Sequence, residues 1–306
     1  LEGRVSNAAS TDSVVPVGAL LAIVGPTASG KTALAIELAQ RHGGEIICAD
    51  SRTIYRGLNI GTAKPTLAEQ AAVPHHLLDI LEPNQPYSAA LFKQAAESAI
   101  AEIRARHHLP ILVGGTGLYV DAVLYDYQFP AGASSSLRHE LEQLPQTELV
   151  ERLQRLDPEI AATIDLRNPR RVIRALELVG QPRIAPRALP PTTYIIGLDP
   201  GMEELERRIA TRTRQMLAAG LVDEVRGLTA RYSAMLEPFN TVGYRETLSY
   251  LKSDLPKAEL APLINLHTRQ LAKRQLTWFK RNPDIHWVDG APTAIELTTS
   301  WLAKAV

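Results

Sequence analysis

Short apolar runs alternate with segments of helical period along most of this chain. Ala19–Val24, Glu45–Ala49, Leu109–Val113, Thr192–Leu198 and Ile285–Val288 have strand length, and His75–Ile80 reads as a further short strand. Between them lie helical patterns. Leu34 and Leu38 set the period after Thr32. Leu91, Ala95, Ser98, Ala99 and Glu102 mark the repeat over Ser88–Arg106. Further helices are predicted over 202–219, 221–232, 243–252, 257–281 and 292–304. Strands separated by helices of this length predict an α/β fold, a parallel sheet flanked by helices. From 125 to 191 the strand signals thin out. Asp157-Pro158 and Asn168-Pro169 each read as an N-cap followed by Pro at the first helical position. This predicts an all-helical insertion at 125–191, ending in a Pro-rich connector over 181–191, inside a core made of 18–124 and 192–306. Residues 1–17 show no period and are set aside as a tag or disordered N-terminus; Leu1-Glu2-Gly3-Arg4 looks like a cloning scar.

The first strand runs into Gly25-Pro26-Thr27-Ala28-Ser29-Gly30-Lys31-Thr32, which fits the phosphate-binding pattern G-x-x-x-x-G-K-[ST]. Glycines let backbone N–H groups converge on an anion, the following helix aims its positive end there, and Lys31 adds a full charge. The Thr32 hydroxyl is the usual Mg²⁺ ligand of such a loop. A di- or triphosphate ligand is therefore expected. Asp50 closes the second strand, so it sits on the carboxyl edge where open α/β sheets carry their ligands. It could also simply cap the next turn. The weakly periodic stretch 51–66 follows as a long loop beside that edge. Gly114-Gly115-Thr116-Gly117 ends the strand at 109–113, where glycines permit close approach of a ligand. No acid follows that strand as in many phosphate-loop NTPases; Asp79 is the nearest comparable candidate. A small-molecule kinase or nucleotide switch is therefore disfavoured.

Charge enters at two helices. Arg170, Arg171 and Arg174 make one face of the helix opened by Asn168-Pro169, with Val172, Ile173, Leu176 and Val179 on the other. In the helix at 257–281, Leu260, Ile264, His267, Leu271 and Trp278 share a face. Arg269, Lys273 and Lys280 fall opposite, within about 40° of each other. Arg274 and Arg281 flank the apolar face, which predicts an anionic partner for each. Globally Lys+Arg and Asp+Glu both number 33, so any nucleic-acid contact must come from such local patches. The single cysteine, Cys48, reads as a buried strand residue, and adjacent His75 and His76 as packing or hydrogen-bonding residues. No apolar run reaches transmembrane length, and the cytoplasm is the expected compartment.

The ordered set of motifs resembles the tRNA dimethylallyltransferase (tRNA isopentenyltransferase) family over about residues 19–290. It comprises Gly25–Thr32; Ala49–Arg52; Tyr55-Arg56-Gly57; Ile60–Pro65; His75–Ile80; Gly114–Tyr119; and Arg171 with Arg174–Glu177. Towards the C-terminus it continues with Gly220–Val225, Gly243–Glu246, Thr268–Gln275 and Thr277–Phe279. The resemblance implies a P-loop NTPase-like core with a helical insertion that grips the anticodon stem-loop. It implies transfer of a dimethylallyl group from its diphosphate to N6 of adenosine 37 in tRNAs reading codons that begin with U. It further implies Mg²⁺ on Thr32, the diphosphate on residues 25–32 and Arg212, Asp50 as general base, and Thr116 near the same amino group. The tRNA contacts it implies are Asp50, Ser51, Arg52, Thr53, Arg138, Arg170, Arg171, Arg174, Lys273, Arg274, Gln275, Trp278 and Lys280. Position 53 departs from the pattern, since many members carry Gln or an apolar residue there. No C-terminal zinc-finger extension is seen, so the bacterial type, a monomer, is expected. The alternative is prenyl transfer to free AMP, ADP or ATP.

Overall fold

The computed structural model describes residues 15–130, 135–182 and 185–305. The chain forms β1 (Leu20–Val24), α1 (Lys31–His42), β2 (Gly44–Cys48), α2 (Leu67–Ala72), β3 (His75–His76), α3 (Ala89–Ala105), β4 (Leu109–Gly114) and α4 (Gly117–Leu124). Four helices follow: α5 (Ser135–Gln143), α6 (Gln146–Leu156), α7 (Pro158–Thr163) and α8 (Pro169–Glu177). The chain then makes β5 (Thr193–Leu198), α9 (Met202–Ala218), α10 (Leu221–Arg231), α11 (Tyr244–Leu251), α12 (Lys257–Phe279), β6 (Ile285–Val288) and α13 (Ala291–Ala305). It divides into two compact units, Leu1–Tyr125 with Ala188–Val306, and Asp126–Arg187.

In the first unit six parallel strands pair in the order β3-β2-β4-β1-β5-β6. β1, β2 and β4 are buried along their whole length, as strands covered on both faces must be. One face packs Leu21, Ile23, Ile46 and Val113 on α1 and α13. The other packs Ala22, Ile47 and Leu112 on α3, α4 and Phe279 of α12. β1 lies between β4 and β5, so the chain leaves β1 and β4 in opposite directions. That reversal opens a crevice at their carboxyl ends. A further cluster gathers Ile54, Tyr55 and Leu58 with Leu221, Phe239, Tyr244 and Leu260, and so fastens the loop after Asp50 onto α10–α12.

Several expectations shift. Residues 1–14 lie outside the described residues, as do 183 and 184 of the Pro-rich connector, but Val15 packs on the core and Pro16 is buried. The segment set aside therefore joins the fold from residue 15. β3 is confined to His75–His76, because Leu77 and Asp79 take φ of 63° and 52°, which end an extended strand. α3 buries Phe92, Ala96, Ala99, Ile100 and Ile103 and leaves Leu91 49% exposed. The larger apolar stripe led by Phe92 sets its rotation.

The second unit buries Leu141, Leu149, Leu153, Ala161, Val172, Ile173 and Leu176 among its own helices. Asp157 caps α7 by accepting from the Ile160 amide at 3.0 Å, and Asn168 caps α8 by accepting from the Arg170 amide at 3.1 Å. No helix among the described residues is long and apolar enough to cross a membrane.

Candidate active site

The loop after β1 turns at Gly25, φ 141°, where a Cβ would lie 2.5 Å from the Leu198 carbonyl oxygen. It re-enters α1 through Gly30 at φ 100°. Two other helices brace it. From α9, Arg208 donates to the Ser29 carbonyl at 2.9 Å, and Arg212 to Thr27 Oγ1 at 3.1 Å and the Thr62 carbonyl at 3.3 Å. From α12, Gln275 Oε1 accepts from the Thr27 amide at 2.8 Å while its Nε2 donates to the Gly115 carbonyl at 3.0 Å. Gln275 therefore ties the two loops on either side of the crevice together. The sequence offered Gln275 only as an RNA contact. Arg208 was missed altogether, although its i,i+4 spacing with Arg212 marks a shared helix face.

A cavity of about 530 Å³ opens over this loop, lined by Thr27, Lys31, Thr32, Asp50 and Arg212, with Arg207 and Arg208 adding positive charge. Lys31 donates to the Pro26 carbonyl at 2.6 Å. Burial, reinforced by the Arg212 charge and opposed by Asp50, pulls the Lys31 ammonium down to about 7. Burial likewise lowers Arg212, with Asp50 opposing. Two clustered cations without a full set of counter-charges make a ready site for a polyanion. Ser29 is buried, so its contribution is backbone rather than side chain, and buried Pro26, which has no N–H, offers only the carbonyl that accepts from Lys31.

A second cavity of about 440 Å³ lies against Thr116, Arg245, His267 and Arg274, and Asp50 lines this one as well. Asp50 Oδ1 accepts from the Arg52 amide at 2.7 Å, so the residue does cap the turn. Its Oδ2 makes no hydrogen bond among the described residues. Thr116 Oγ1 accepts from the Ser51 amide at 3.1 Å and fixes the same turn from β4. The glycines at the end of β4 are required by protein packing, and Gly114 and Gly115 also line the loop cavity. A Cβ at Gly114 would lie 2.0 Å from the Ala49 carbonyl oxygen, and one at Gly117 would lie 2.2 Å from Trp278.

The remaining cations sort by partner. Arg52 forks onto Glu237 at 2.5 and 2.9 Å. Trp278 Nε1 donates to Asp121 at 2.7 Å. Arg269 pairs with Glu206 at 3.2 Å and Lys280 with Asp199 at 2.9 Å, so two of the three cations opposite the apolar face are held by protein carboxylates. Arg274, expected to be held, is exposed with neither hydrogen bond nor ion pair among the described residues, and it lines the second cavity. Lys273 is exposed and unpaired in the same sense. Thr53 is 6% exposed and lines the first cavity, which withdraws its side chain from any RNA-facing surface. Asp79 pairs with buried Lys64 at 2.5 Å and has no place in the loop cavity. In the second unit, Arg138 and Arg174 converge on buried Glu177 at 3.4 and 3.0 Å, while Arg170 and Arg171 stay exposed and unpaired among the described residues.

Fold and site together define an α/β enzyme in which an anion-binding loop and a neighbouring cavity share one carboxylate. The chain belongs to the IPP transferase family, whose pattern matches residues 53–282, and residues 18–79 match the isopentenyl transferase family. It is a prenyltransferase. A tRNA dimethylallyltransferase from an Exiguobacterium species is 44% identical over 91% of this chain and 93% of its own length. One from Moorella thermoacetica is 42% identical over 94% of each. The solved tRNA isopentenylpyrophosphate transferase of Bacillus halodurans is 38% identical with a TM-score of 0.73, over 94% of this chain and 97% of that one. A eukaryotic dimethylallyltransferase acting on tRNA shares the fold with a TM-score of 0.78 at 24% identity, over 93% of this chain and 79% of that one.

Proposed function

We propose that this chain moves a dimethylallyl group from dimethylallyl diphosphate to N6 of adenosine 37 in tRNAs that read codons beginning with U. In this reading the core is P-loop NTPase-like, the protein is a cytoplasmic monomer, and the helical unit at 126–187 contributes anticodon-stem contacts through exposed Arg170 and Arg171. The observation that carries it is Asp50 in the wall of both cavities. One cavity is cationic and suits a diphosphate; the other adjoins it and suits an acceptor.

The adenine amino group is a weak nucleophile, because its lone pair is delocalised into the ring. As N6 bonds to C1 of the donor, the C1–O bond breaks and diphosphate leaves with the electron pair. Asp50 Oδ2 takes the N6 proton. A placed base of this kind contributes about 10²–10⁴ in rate. Lys31, Arg212 and the amides of Ala28 and residues 30–32 hold positive potential where negative charge grows, without reorganising. An adenosine in a loop can leave its stack without breaking a base pair. Thr32 lines the donor cavity with its hydroxyl unpaired among the described residues, a hard oxygen donor that suits Mg²⁺. Thr32 would hold that ion, which when bound neutralises charge on the diphosphate.

The test is mass spectrometry of bulk tRNA incubated with the protein, Mg²⁺ and dimethylallyl diphosphate, with AMP, ADP and ATP as competing acceptors. A dimethylallyl increment on an adenosine 3′ to the anticodon is the expected result. Faster modification of the free nucleotides would replace the tRNA half of the proposal.

A further inference from the structure

Buried polar atoms without a partner are few in native proteins, and each has an energetic cost that calls for a reason. Two of them stand in the wall of the donor cavity. Thr53 Oγ1 and His75 Nε2 are buried with no hydrogen-bond partner, and both residues line the space over Lys31 and Thr32. Thr53 is the nearer to the reacting end, since its amide lies 3.4 Å from Asp50 Oδ1. His75 lies on the edge strand β3, beside Ile46 in the strand register. Ala35, Ile46, Val113 and Cys48 make the apolar part of this wall, and Glu69, whose carboxylate accepts from Thr66, also lines the cavity. The Cys48 thiol is pushed up to about 12 by burial, so it stays neutral and behaves as a small apolar group.

The hydrogen-bonding sense of each orphan can be read. His75 Nδ1 is 2.7 Å from the Val73 carbonyl oxygen, which can only accept, so Nδ1 carries a proton. Burial disfavours the charged ring. Nε2 is then a lone-pair acceptor. Thr53 can donate or accept. A hydroxyl group offers the complement, an O–H for the histidine side and lone pairs for the threonine. A dimethylallyl tail, being hydrocarbon throughout, answers neither.

Resting on the reading of this cavity as the prenyl-donor site, we propose that it takes allylic diphosphates whose five-carbon tail carries a hydroxyl at its far end. The hydroxyl is a spectator. N6 bonds to C1, the C1–O bond breaks, diphosphate departs with the electron pair, the N6 proton passes to Asp50, and the hydroxyl is carried unchanged into the product. Thr53 and His75 are specificity-determining residues for the donor tail.

The experiment compares 4-hydroxy-3-methylbut-2-enyl diphosphate with dimethylallyl diphosphate on the full-length chain, using bulk tRNA as acceptor. It reads the ratio of kcat/KM for the two donors, and the ratio of their calorimetric Kd values without tRNA. The wild-type ratio should be at least about one. Thr53→Val, which removes the hydroxyl and keeps the shape, should lower preference for the hydroxylated donor at least about tenfold, the loss for an unmet hydrogen bond. His75→Leu should act in the same direction. A purely structural hydroxyl would cost stability when removed, whereas Thr53→Val here should leave Tm unchanged or raised. A wild-type ratio below about one-tenth, or a ratio that both substitutions leave unchanged, overturns the inference and assigns the two atoms to bound water. Prenylation from dimethylallyl diphosphate alone leaves the proposed function standing. Turnover from neither donor removes that function, and the Kd ratio then decides the tail site on its own.

Discussion

At Asp50 the two alternatives left by the sequence are compatible. Oδ1 caps the turn by accepting the Arg52 amide, and Oδ2 makes no hydrogen bond among the described residues. Asp50→Asn keeps an oxygen for the cap and removes the base. Turnover should fall at least about a hundredfold, the low end for loss of a general base, with little change in the binding of either substrate. Near-normal turnover in single-turnover assays would reduce Asp50 to its capping duty. Lys31 gives a pH prediction whose sign can be worked out. Its pKa in the free protein, about 7, is far below that of an exposed lysine because of burial and Arg212. A bound diphosphate restores the charged form, so above pH 7 binding must take up a proton. Donor affinity should fall by up to about tenfold per pH unit above 7, by linkage. Calorimetry at pH 8 in buffers of different ionisation heat measures the uptake directly. Lys31→Arg, which remains charged throughout, should abolish it. Absence of uptake in the wild type would remove Lys31 from the phosphates.

Among the elements, α12 shows what a periodic pattern can and cannot convey. Its length was legible, and so was the first half of its apolar face, where Leu260 and Ile264 are buried; in the second half Ala272 and Phe279 are buried, while Leu271 and Trp278 are half-buried. The fate of its cations was not legible, since a helical projection gives directions and no neighbours. Glu206 of α9 reaches Arg269, and Asp199 after β5 reaches Lys280, while no carboxylate among the described residues pairs with Arg274. The loop at 25–32 was equally legible, because glycines and a lysine at fixed offsets record a backbone shape. The wall made by Arg208, Gln275, Thr53 and His75 was hidden, since elements far apart in sequence assemble it. The contrast on α12 still yields a prediction, now from a free guanidinium at the acceptor cavity. Arg274→Ala should weaken tRNA binding more than Arg269→Ala, whose side chain is already engaged. It should also flatten the plot of log affinity against log salt by roughly one unit, as for one lost phosphate contact. Equal effects of the two substitutions across a salt series would count against the assignment.

For the molecule as a whole, the carboxyl edge of the sheet carries the site while a buried charge cluster ties its other parts together. Glu45, the second residue of β2, is 3% exposed in the middle of an apolar sheet. It accepts from Arg106 at 2.9 and 2.8 Å, and its oxygens lie 2.6 Å from His76 Nε2 and 2.7 Å from His108 Nδ1. These contacts join β2, β3 and the α3–β4 connection around one carboxylate. The Arg106 hydrogen bonds, helped by those of the two histidines and opposed by burial, hold Glu45 down to about 2, well below the usual carboxylate range. A carboxyl with a depressed folded-state pKa stabilises the fold at pH values above its unfolded-state pKa. That contribution is lost as pH falls towards 2. Glu45→Ala should therefore cost at least about 2 kcal/mol at pH 7, as for loss of charge-assisted hydrogen bonds. Arg106 is half-exposed and can turn to water, which keeps the cost below that of stranding a buried charge. Chemical denaturation across pH checks both halves of the argument. Wild-type stability should drop between about pH 4.5 and 2 by more than that of Glu45→Ala, and the two curves should converge at the acid end. Below the denaturation midpoint, the variant should retain its turnover, because none of the four residues lines either cavity at Asp50. Parallel pH–stability curves, offset by a constant amount, would mean that the Glu45 charge contributes nothing and only its packing does.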